Sequence, residues 1–229
     1  MSATKDPIVA YYDELAPRYD ADRFGGSYGR FIDNQEQHLL RRWLPAHTGP
    51  VLDLGCGTGR LSHFATHGCD ASPASIAIAR AKHPGKAFDL ADVAELPYSD
   101  ETFSALLCFH VGMHLEPARL EALFAEAARV LQPDGIFVMD IASATRRRIA
   151  RRMPSGWHGD TSLTRAELAG LGRTRGLRLS SVHGIAMAPI HRFPGAIRPV
   201  LQPFDRLACM VAPSLASYLA TRFIKGGME

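Results

Sequence analysis

Residues 51–59 read Val-Leu-Asp-Leu-Gly-Cys-Gly-Thr-Gly, a short apolar strand that runs into a turn containing three glycines. Gly55, Gly57 and Gly59 have no β-carbon, so the backbone of this turn can adopt positive φ and approach a bound ligand closely. Asp53 stands near the end of the strand and is expected to face that ligand. The stretch therefore indicates a nucleotide-like cofactor at the end of a β-strand.

The spacing of the glycines separates two classes of cofactor site. A dinucleotide-binding fingerprint, G-x-G-x-x-G/A, requires a third small residue where the helix packs on the strand. Counted from Gly55 or Gly57, that position is Arg60 or Ser62, so the fingerprint fails. The pattern acid-x-Gly-x-Gly-x-Gly of residues 53–59 instead resembles the first motif of class I S-adenosylmethionine (SAM) dependent methyltransferases.

Four further blocks, in the order in which this family has them, extend the resemblance over about residues 45–141. They are Asp70-Ala71-Ser72-Pro73 with the helix-like run 75–80, and the blocks 91–98, 102–110 and 129–140. The resemblance implies that Asp70 binds the ribose hydroxyls of the cofactor and that Asp92 meets the adenine amino group. Within the family, the chain resembles the type 11 methyltransferases and the ubiquinone and menaquinone biosynthesis type.

The N-terminal segment 11–20 resembles the lid that closes over the cofactor in the quinone-type enzymes. The resemblance implies that SAM, and its product S-adenosylhomocysteine, contact this lid, the glycine-rich turn and the ends of the next strands. The residues concerned are Tyr19, Arg30, Asp53, Gly55, Cys56, Gly57, Thr58, Gly59, Asp70, Ala71, Ser72, Asp92, Val93 and Phe109.

The length and the pattern of the chain predict the fold class. The 229 residues are 46% hydrophobic and 21% charged, an ordinary composition for a globular protein with a core. From residue 51 to residue 140, strand-like and helix-like segments alternate, which implies parallel strands with right-handed crossovers. We expect an α/β, Rossmann-like class I methyltransferase fold: a seven-stranded, mostly parallel sheet with helices on both faces and an N-terminal helical lid.

We expect a single SAM-dependent methyltransferase domain over residues 1–229. It divides into a helical lid (1–45), a cofactor-binding core (46–141) and acceptor-side elements (142–229) with an insertion at about 187–213. Periodicity predicts helices at 7–16, 28–44 and 115–131, and a capping box starts another at Thr164 to Glu167. The segments 177–186 and 217–224 read as strands, which form an antiparallel edge in the family.

One departure from the family falls between Gly59 and Asp70. Only ten residues separate them, whereas a helix of three turns followed by a short strand needs about 16 residues. Two explanations are open: a truncated helix and strand, or residues missing from the sequence. A real truncation is expected to weaken the contact between Asp70 and the ribose.

Three histidines are candidates for catalysis. Methyl transfer from a sulfonium requires alignment and exclusion of water, and a base only when the nucleophile is a hydroxyl or an acidic carbon. His110 and His114 follow the fourth predicted strand, and His158 lies in the connection after the fifth. Our hypothesis is that His110 or His158 is the general base. His114 is a weaker candidate, with a capping role as its alternative.

The acceptor is expected to be a small molecule. O-methylation is favoured, with C-methylation of a quinone-like or lipid-linked precursor as the alternative. The insertion at 187–213 is apolar with scattered arginines, which suits an apolar or lipid-linked acceptor, peripheral contact with a membrane, a homodimer interface or a cap over the pocket. A rival from another class is a non-catalytic SAM-binding partner module.

Several other functions are not expected. No apolar run reaches the roughly 20 residues that span a bilayer, and the N-terminus has no signal-peptide pattern, so we expect a cytoplasmic protein. The four cysteines have neither disulfide nor zinc spacing, and no metal is expected. The chain has no interleaved basic and aromatic stripe, and no Asn/Asp-Pro-Pro-aromatic block follows the fourth strand, so nucleic acid is not an expected partner.

Overall fold

The computed structural model describes residues 6–44, 49–151 and 159–226, which build a mixed sheet flanked by helices. The strands are β1 Val51–Leu54, β2 His67–Asp70, β3 Ala87–Leu90, β4 Phe103–Cys108, β5 Leu131–Ser143, β6 Ser162–Leu163, β7 Leu177–Ile185 and β8 Tyr218–Lys225. The helices are α1 Pro7–Leu15, α2 Tyr19–Phe24, α3 Ser27–Trp43, α4 Pro73–Lys82, α5 Pro117–Val130, α6 Ala144–Ile149, α7 Arg165–Arg173 and α8 Arg198–Val211.

The sheet has the strand order β3-β2-β1-β4-β5-β8-β7. Strands β1 to β5 run parallel, β8 is antiparallel to β5, and β7 is antiparallel to β8. The two-residue β6 pairs with the end of β5 as an eighth strand. The expected α/β, mostly parallel sheet is confirmed. The chain order reverses at β1 and β4, the type of position where open α/β sheets bind ligands.

The central strands are buried on both faces, and alternate residues feed two separate hydrophobic clusters. Leu52 and Leu106 join one cluster, which is completed by Phe124 of α5. Val51 and Leu107 join the other, which contains the inner side chains of α3. Because successive residues of a strand point to opposite faces, both faces need a cover, and α5 and α3 provide it.

A single 3₁₀ turn, Ser62–Phe64, occupies the short connection between β1 and β2. In the structure, a 3₁₀ turn thus takes the place of the three-turn helix that a full-length connection would contain. The turn does not disturb the register, since Leu54 pairs with Cys69 and Asp70 ends β2 directly beyond it. The end of β2 thus still lies beside the end of β1.

The predicted helices and edge strands lie within one or two residues of the observed ones, and Thr164 and Glu167 form the predicted capping box. Helix α8, inside the insertion at 187–213, was missed. Pro199 and Pro203 argue against a helix, but Pro199 lies in the first turn, where its missing N–H is not needed. None of the described helices has the length and apolarity to cross a membrane.

Candidate active site

A cavity of about 410 Å³ opens beside the carboxyl ends of β1, β2 and β4, beneath the N-terminal helices. Ten of the predicted cofactor contacts lie on its wall: Tyr19, Gly55, Gly57, Thr58, Asp70, Ala71, Ser72, Asp92, Val93 and Phe109. Two of the three candidate histidines, His110 and His114, line it as well. The structure thus brings together residues that are spread over about a hundred positions of sequence.

All three glycines of the turn after β1 have positive φ: Gly55 +66°, Gly57 +53° and Gly59 +82°. A β-carbon on Gly55 would lie 2.3 Å from Cγ2 of Val111, so this position requires a close backbone approach. A β-carbon on Gly57 would meet no atom within 4 Å, because it would project into open space. Gly57 therefore leaves room for a ligand against the backbone.

Asp70 binds two backbone amides of the cavity wall. Its Oδ2 accepts a hydrogen bond from the amide of Gly57 (2.9 Å), and its Oδ1 accepts one from the amide of Ser72 (2.8 Å). Burial raises the pKa of this carboxyl. The short connection before β2 does not withdraw Asp70 from the cavity, because the strand register is preserved.

Asp92 is held by an arginine that sequence reasoning missed. Nη2 of Arg119 lies 2.5 Å from Oδ2 of Asp92, and Nη1 of the same side chain lies 3.5 Å from Oδ2 of Asp6. Asp6 is the N-cap of α1, where its Oδ1 accepts from the amide of Ile8. Arg119 therefore joins one wall of the cavity to the start of the lid.

Two further acids of the lid form hydrogen bonds with residues at the cavity. Oδ1 of Asp13 accepts from the hydroxyl of Ser72 (2.7 Å) and from the amide of Ala74 (2.9 Å) at the start of α4. Oδ1 of Asp20 accepts from the hydroxyl of Thr58 (2.7 Å). Both acids stand in the segment 11–20 that the family resemblance had picked out, but the sequence analysis assigned its role to tyrosines.

Tyr12 and His114 form a polar pair on the cavity wall. The hydroxyl oxygen of Tyr12 lies 3.0 Å from Nε2 of His114, and the two ring centroids are 5.6 Å apart. Burial raises the pKa of Tyr12, and it raises that of Tyr19 to about 12. Both phenols therefore stay protonated at neutral pH. The pairing of Tyr12 with His114 was not predicted from the sequence.

His110 stands between two buried carboxylates. Its Nε2 lies 2.7 Å from Oε1 of Glu36, its Nδ1 lies 3.5 Å from Oδ2 of Asp140, and its backbone amide donates to Oδ1 of Asp140 at 2.6 Å. Burial alone would lower the pKa of His110, but the two negative charges outweigh it and raise the pKa. The environment favours the protonated imidazole, which cannot accept a proton, and His110 was one of the two residues that we considered as general base.

A second cavity, of about 40 Å³, lies behind the glycine-rich turn and is lined by Asp53, Cys56, Arg60 and His110 among others. Oδ2 of Asp53 accepts from the hydroxyl of Ser62 at 3.1 Å, and burial raises the pKa of Asp53 to about 7. Asp53 and Cys56 are thus on this inner cavity and not on the wall of the larger one, where the sequence placed them. Arg60 pairs with Glu36 (2.7 Å) and lies 3.9 Å from the centroid of the Phe24 ring.

Comparisons with known proteins agree with this geometry. Residues 52–139 match the family model of the methyltransferase domain. Demethylmenaquinone methyltransferase of Beutenbergia cavernae is 32% identical over 144 residues, which cover 59% of this chain and 58% of that protein. Trans-aconitate 2-methyltransferase of Methylobacterium nodulans is 32% identical over 150 residues, 58% of this chain and 56% of that protein. Each match spans little more than half of the relative's length.

The same fold occurs in magnesium protoporphyrin IX methyltransferase of Synechocystis PCC 6803, whose crystal structure contains SAM. The two chains align with a TM-score of 0.65 at 14% identity, over 99% of this chain and 100% of that one. Residues 52–139 belong to the methyltransferase domain family. Ten of the fourteen residues that the resemblance assigns to the cofactor lie on the cavity wall.

One group of side chains in the described part of this methyltransferase domain could hold a metal ion: Glu36, His110 and Asp140, whose nearest ligand atoms lie within 4.8 Å of one another. The imidazole stands between the two carboxylates with one nitrogen toward each. This arrangement suits an imidazole that carries a proton on each nitrogen and donates one to each carboxylate. It is less suited to a metal ion bound by all three side chains, because such an ion would need both carboxylates on the same side of the ring.

Two further predicted site residues, Arg30 and Gly59, are not on the wall of the large cavity. Arg30 is exposed on the methyltransferase lid, and its guanidinium bonds the carbonyl of Gly25. Gly59 packs against α4, where an added β-carbon would lie 2.9 Å from the imidazole of His83. His158 lies outside the described residues.

Proposed function

We propose that this protein transfers a methyl group from SAM to a small-molecule acceptor. The observation that carries the proposal is the cavity of about 410 Å³, in which the open space beside Gly57, the carboxylate of Asp70 and the carboxylate of Asp92 face one volume. These are the groups that the resemblance assigns to the amino-acid part, the ribose and the adenine of SAM. When bound, SAM would supply an electrophilic methyl carbon.

The chain's own residues fit this cofactor in shape and in charge. Gly55, Gly57 and Thr58 offer backbone and a hydroxyl to the amino-acid part, and the buried Asp70 offers a hydrogen-bond acceptor to the ribose. Tyr12 and Tyr19 cover the cavity from the lid and exclude water. Exclusion of water matters because a displacement that neutralises charge is hindered by solvation of the sulfonium.

The shape of the cavity supports an enzyme rather than a module that only binds SAM. The cavity continues beyond the residues that resemble cofactor contacts and reaches His114, Asp160 and Thr161. The hydroxyl of Thr161 donates to the carbonyl of Leu115 at 2.5 Å, so this side of the wall is fixed. Space lined by polar groups next to the cofactor region is what an acceptor requires.

The Tyr12–His114 pair supports a hydroxyl acceptor, and thus O-methylation. As the acceptor loses its proton to the oxygen of Tyr12, the hydroxyl proton of Tyr12 passes to Nε2 of neutral His114, 3.0 Å away. Each proton moves over one hydrogen bond, and Tyr12 stays neutral throughout. In this proposal His114, and not His110, acts as the base, because two carboxylates raise the pKa of His110.

C-methylation is the second candidate, supported by one comparison. Demethylmenaquinone methyltransferase shares 32% identity with this chain, and a quinone-like acceptor would match the largely apolar lining at Ile8, Val9 and Met113. The other relative, which is equally similar, is named for trans-aconitate. Similarity at this level therefore does not select the acceptor.

The first test is calorimetric titration of the full chain with SAM and, separately, with NAD. We expect SAM to bind and NAD not to bind, and we expect Asp92→Asn to weaken SAM binding about tenfold or more, since a hydrogen bond to a charged group is lost. Equal binding of the two compounds would overturn the cofactor assignment. Phenols, organic acids and quinones are then supplied with SAM, and the products are identified by mass spectrometry.

The proposed base is tested with the acceptor found in that screen. His114→Asn and Tyr12→Phe are expected to lower kcat about a hundredfold while the affinity for SAM changes little, since a general base contributes about 10² to 10⁴ in rate. Unchanged kcat in both variants would exclude the pair from catalysis and leave alignment as the mechanism.

A further inference from the structure

Helix α8 carries an apolar stripe that faces away from the rest of the protein. Five large apolar side chains of α8 are more than half exposed: Met210 (52%) and the four that we call the α8 stripe, Val200 (66%), Phe204 (69%), Leu207 (56%) and Val211 (74%). Their spacing of four, three and four residues places them on one face of the helix. The opposite face, with Asp205 and Cys209, is buried against β7 and α3. A continuous stripe of this kind marks an interaction surface.

The segment that contains the stripe is strongly basic. Between Glu167 and Glu229 the chain has eight lysine or arginine residues and a single acid, Asp205. That acid is buried, and its two carboxylate oxygens accept from Nε2 of Gln35 (2.6 Å) and from the amide of Ala188 (2.6 Å). In its described part, this segment therefore presents no carboxylate to solvent beside the α8 stripe.

Three arginines lie on α3 and α8, which pack against each other. The pKa of His38 is lowered by partial burial and then by the positive charges of Arg206, Arg42 and Arg41, which places these three guanidinium groups in one neighbourhood. Arg206 belongs to α8, whereas Arg41 and Arg42 belong to the last turn of α3. Among the residues that the structure describes, none of the three forms an ion pair with a carboxylate.

We propose that the α8 stripe, together with Arg41, Arg42 and Arg206, is a docking surface for an anionic lipid bilayer. Apolar side chains of a surface helix enter the boundary between headgroups and acyl chains, and guanidinium groups bind the lipid phosphates. The uncompensated positive charge selects this occupant over a second copy of the chain. A symmetric dimer through the same face would bring two clusters of like charge together.

The proposal is tested by cosedimentation of the full chain with vesicles of phosphatidylcholine alone and of phosphatidylcholine mixed with phosphatidylglycerol. We expect binding to the anionic vesicles, weak binding to the neutral ones, and loss of binding as salt rises, because salt screens exposed charges. Arg42→Ala should weaken binding about fivefold, the effect of one basic residue near an anionic surface.

Leu207→Glu and Leu90→Glu form a matched pair. Leu207 and Leu90 are equally exposed, at 56%, but Leu90 lies on β3 and α8 packs on β7, at opposite edges of the sheet. We expect Leu207→Glu to weaken vesicle binding at least about tenfold, because a leucine that would enter the lipid is replaced by a charge that anionic lipids repel. Leu90→Glu should bind as the parent chain does.

Three results would overturn the proposal: no binding to anionic vesicles, equal binding to both vesicle types, or equal loss in the two leucine variants. A parent chain that light scattering shows to be dimeric, and that Leu207→Glu makes monomeric, would assign the stripe to self-association instead. Arg42→Glu, at an exposed position, provides the test of charge if Leu207→Glu fails to fold.

Discussion

Oε1 of Glu36 lies 2.7 Å from Nε2 of His110, in the interior behind the cofactor cavity. Glu36 is fully buried, and its other oxygen lies 2.7 Å from the guanidinium of Arg60. The two positive partners hold the pKa of Glu36 below its ordinary value in spite of burial, which acts in the opposite direction. The His110–Glu36 contact therefore favours the protonated form of His110 next to the active site.

Glu36→Gln should return His110 to a neutral imidazole. Removing one of the two carboxylates that raise its pKa should lower that pKa by about 1 unit or more. The measurement is a pH titration of the His110 imidazole by NMR. Glu126→Gln is the control, because Glu126 is also paired with an arginine, is only partly buried, and lies far along the chain on α5. An unchanged His110 titration in Glu36→Gln would contradict the assignment.

The same variant should change the pH dependence of stability. Because the pKa of His110 is raised on folding, its protonation stabilises the folded state fully below about pH 6.5, and this contribution is lost as pH rises through the raised pKa. Urea unfolding should therefore show that Glu36→Gln destabilises the chain more in acid than in alkali. A loss that is the same at every pH would mean that only the pairing with Arg60 had been removed.

Gly57→Ala should weaken SAM binding, and backbone strain alone should not account for the weaker binding. The residue has a φ of +53°, so alanine costs about 1 to 2 kcal/mol of backbone strain. Gly176 is a matched control, since it has a φ of +72° and, like Gly57, open space where a β-carbon would stand. Both alanine variants should lose similar stability in thermal unfolding, but only Gly57→Ala should raise the Kd for SAM, by about tenfold. Equal Kd values would show that the open space at Gly57 is not used by the cofactor.

Asp53→Asn should become progressively more stable than the parent chain as pH rises. Burial raises the pKa of Asp53 from 3.8 to about 7, so the folded state holds this proton more tightly than the unfolded state does. Folding stability is therefore lost between about pH 4 and pH 7, by at most about 4 kcal/mol, and asparagine removes this loss. Urea titrations of both chains without SAM, in acid and in alkali, measure this difference in the free energy of unfolding. Asp100→Asn, which removes an exposed carboxylate, should show no such trend.

The cofactor wall could be predicted from sequence because its residues are set by short-range structure. Gly57 and Asp70 follow directly from strand ends, where the fold class fixes their position. The charge of His110 could not be predicted, since Glu36 lies 74 residues before it and Asp140 lies 30 residues after it. Arg30 was misplaced for a related reason: which face of a lid helix meets the cavity depends on how the helix packs.

Arg119→Gln should loosen the lid at its beginning. Arg119 lies 2.5 Å from Asp92 on the cavity wall and 3.5 Å from Asp6 at the N-cap of α1, so its loss frees both carboxylates from a shared cation. The three side chains are each about one-third exposed, which limits the pair energies to about 1 kcal/mol, and we therefore expect a Kd for SAM raised by no more than about fivefold. Hydrogen exchange should rise in α1 and remain unchanged in α7. Arg175→Gln is the control, because Arg175, just after α7, pairs with Glu121 of α5, and neither residue belongs to the lid. Unchanged exchange in α1 would mean that Asp13 and Asp20 hold the lid without this arginine.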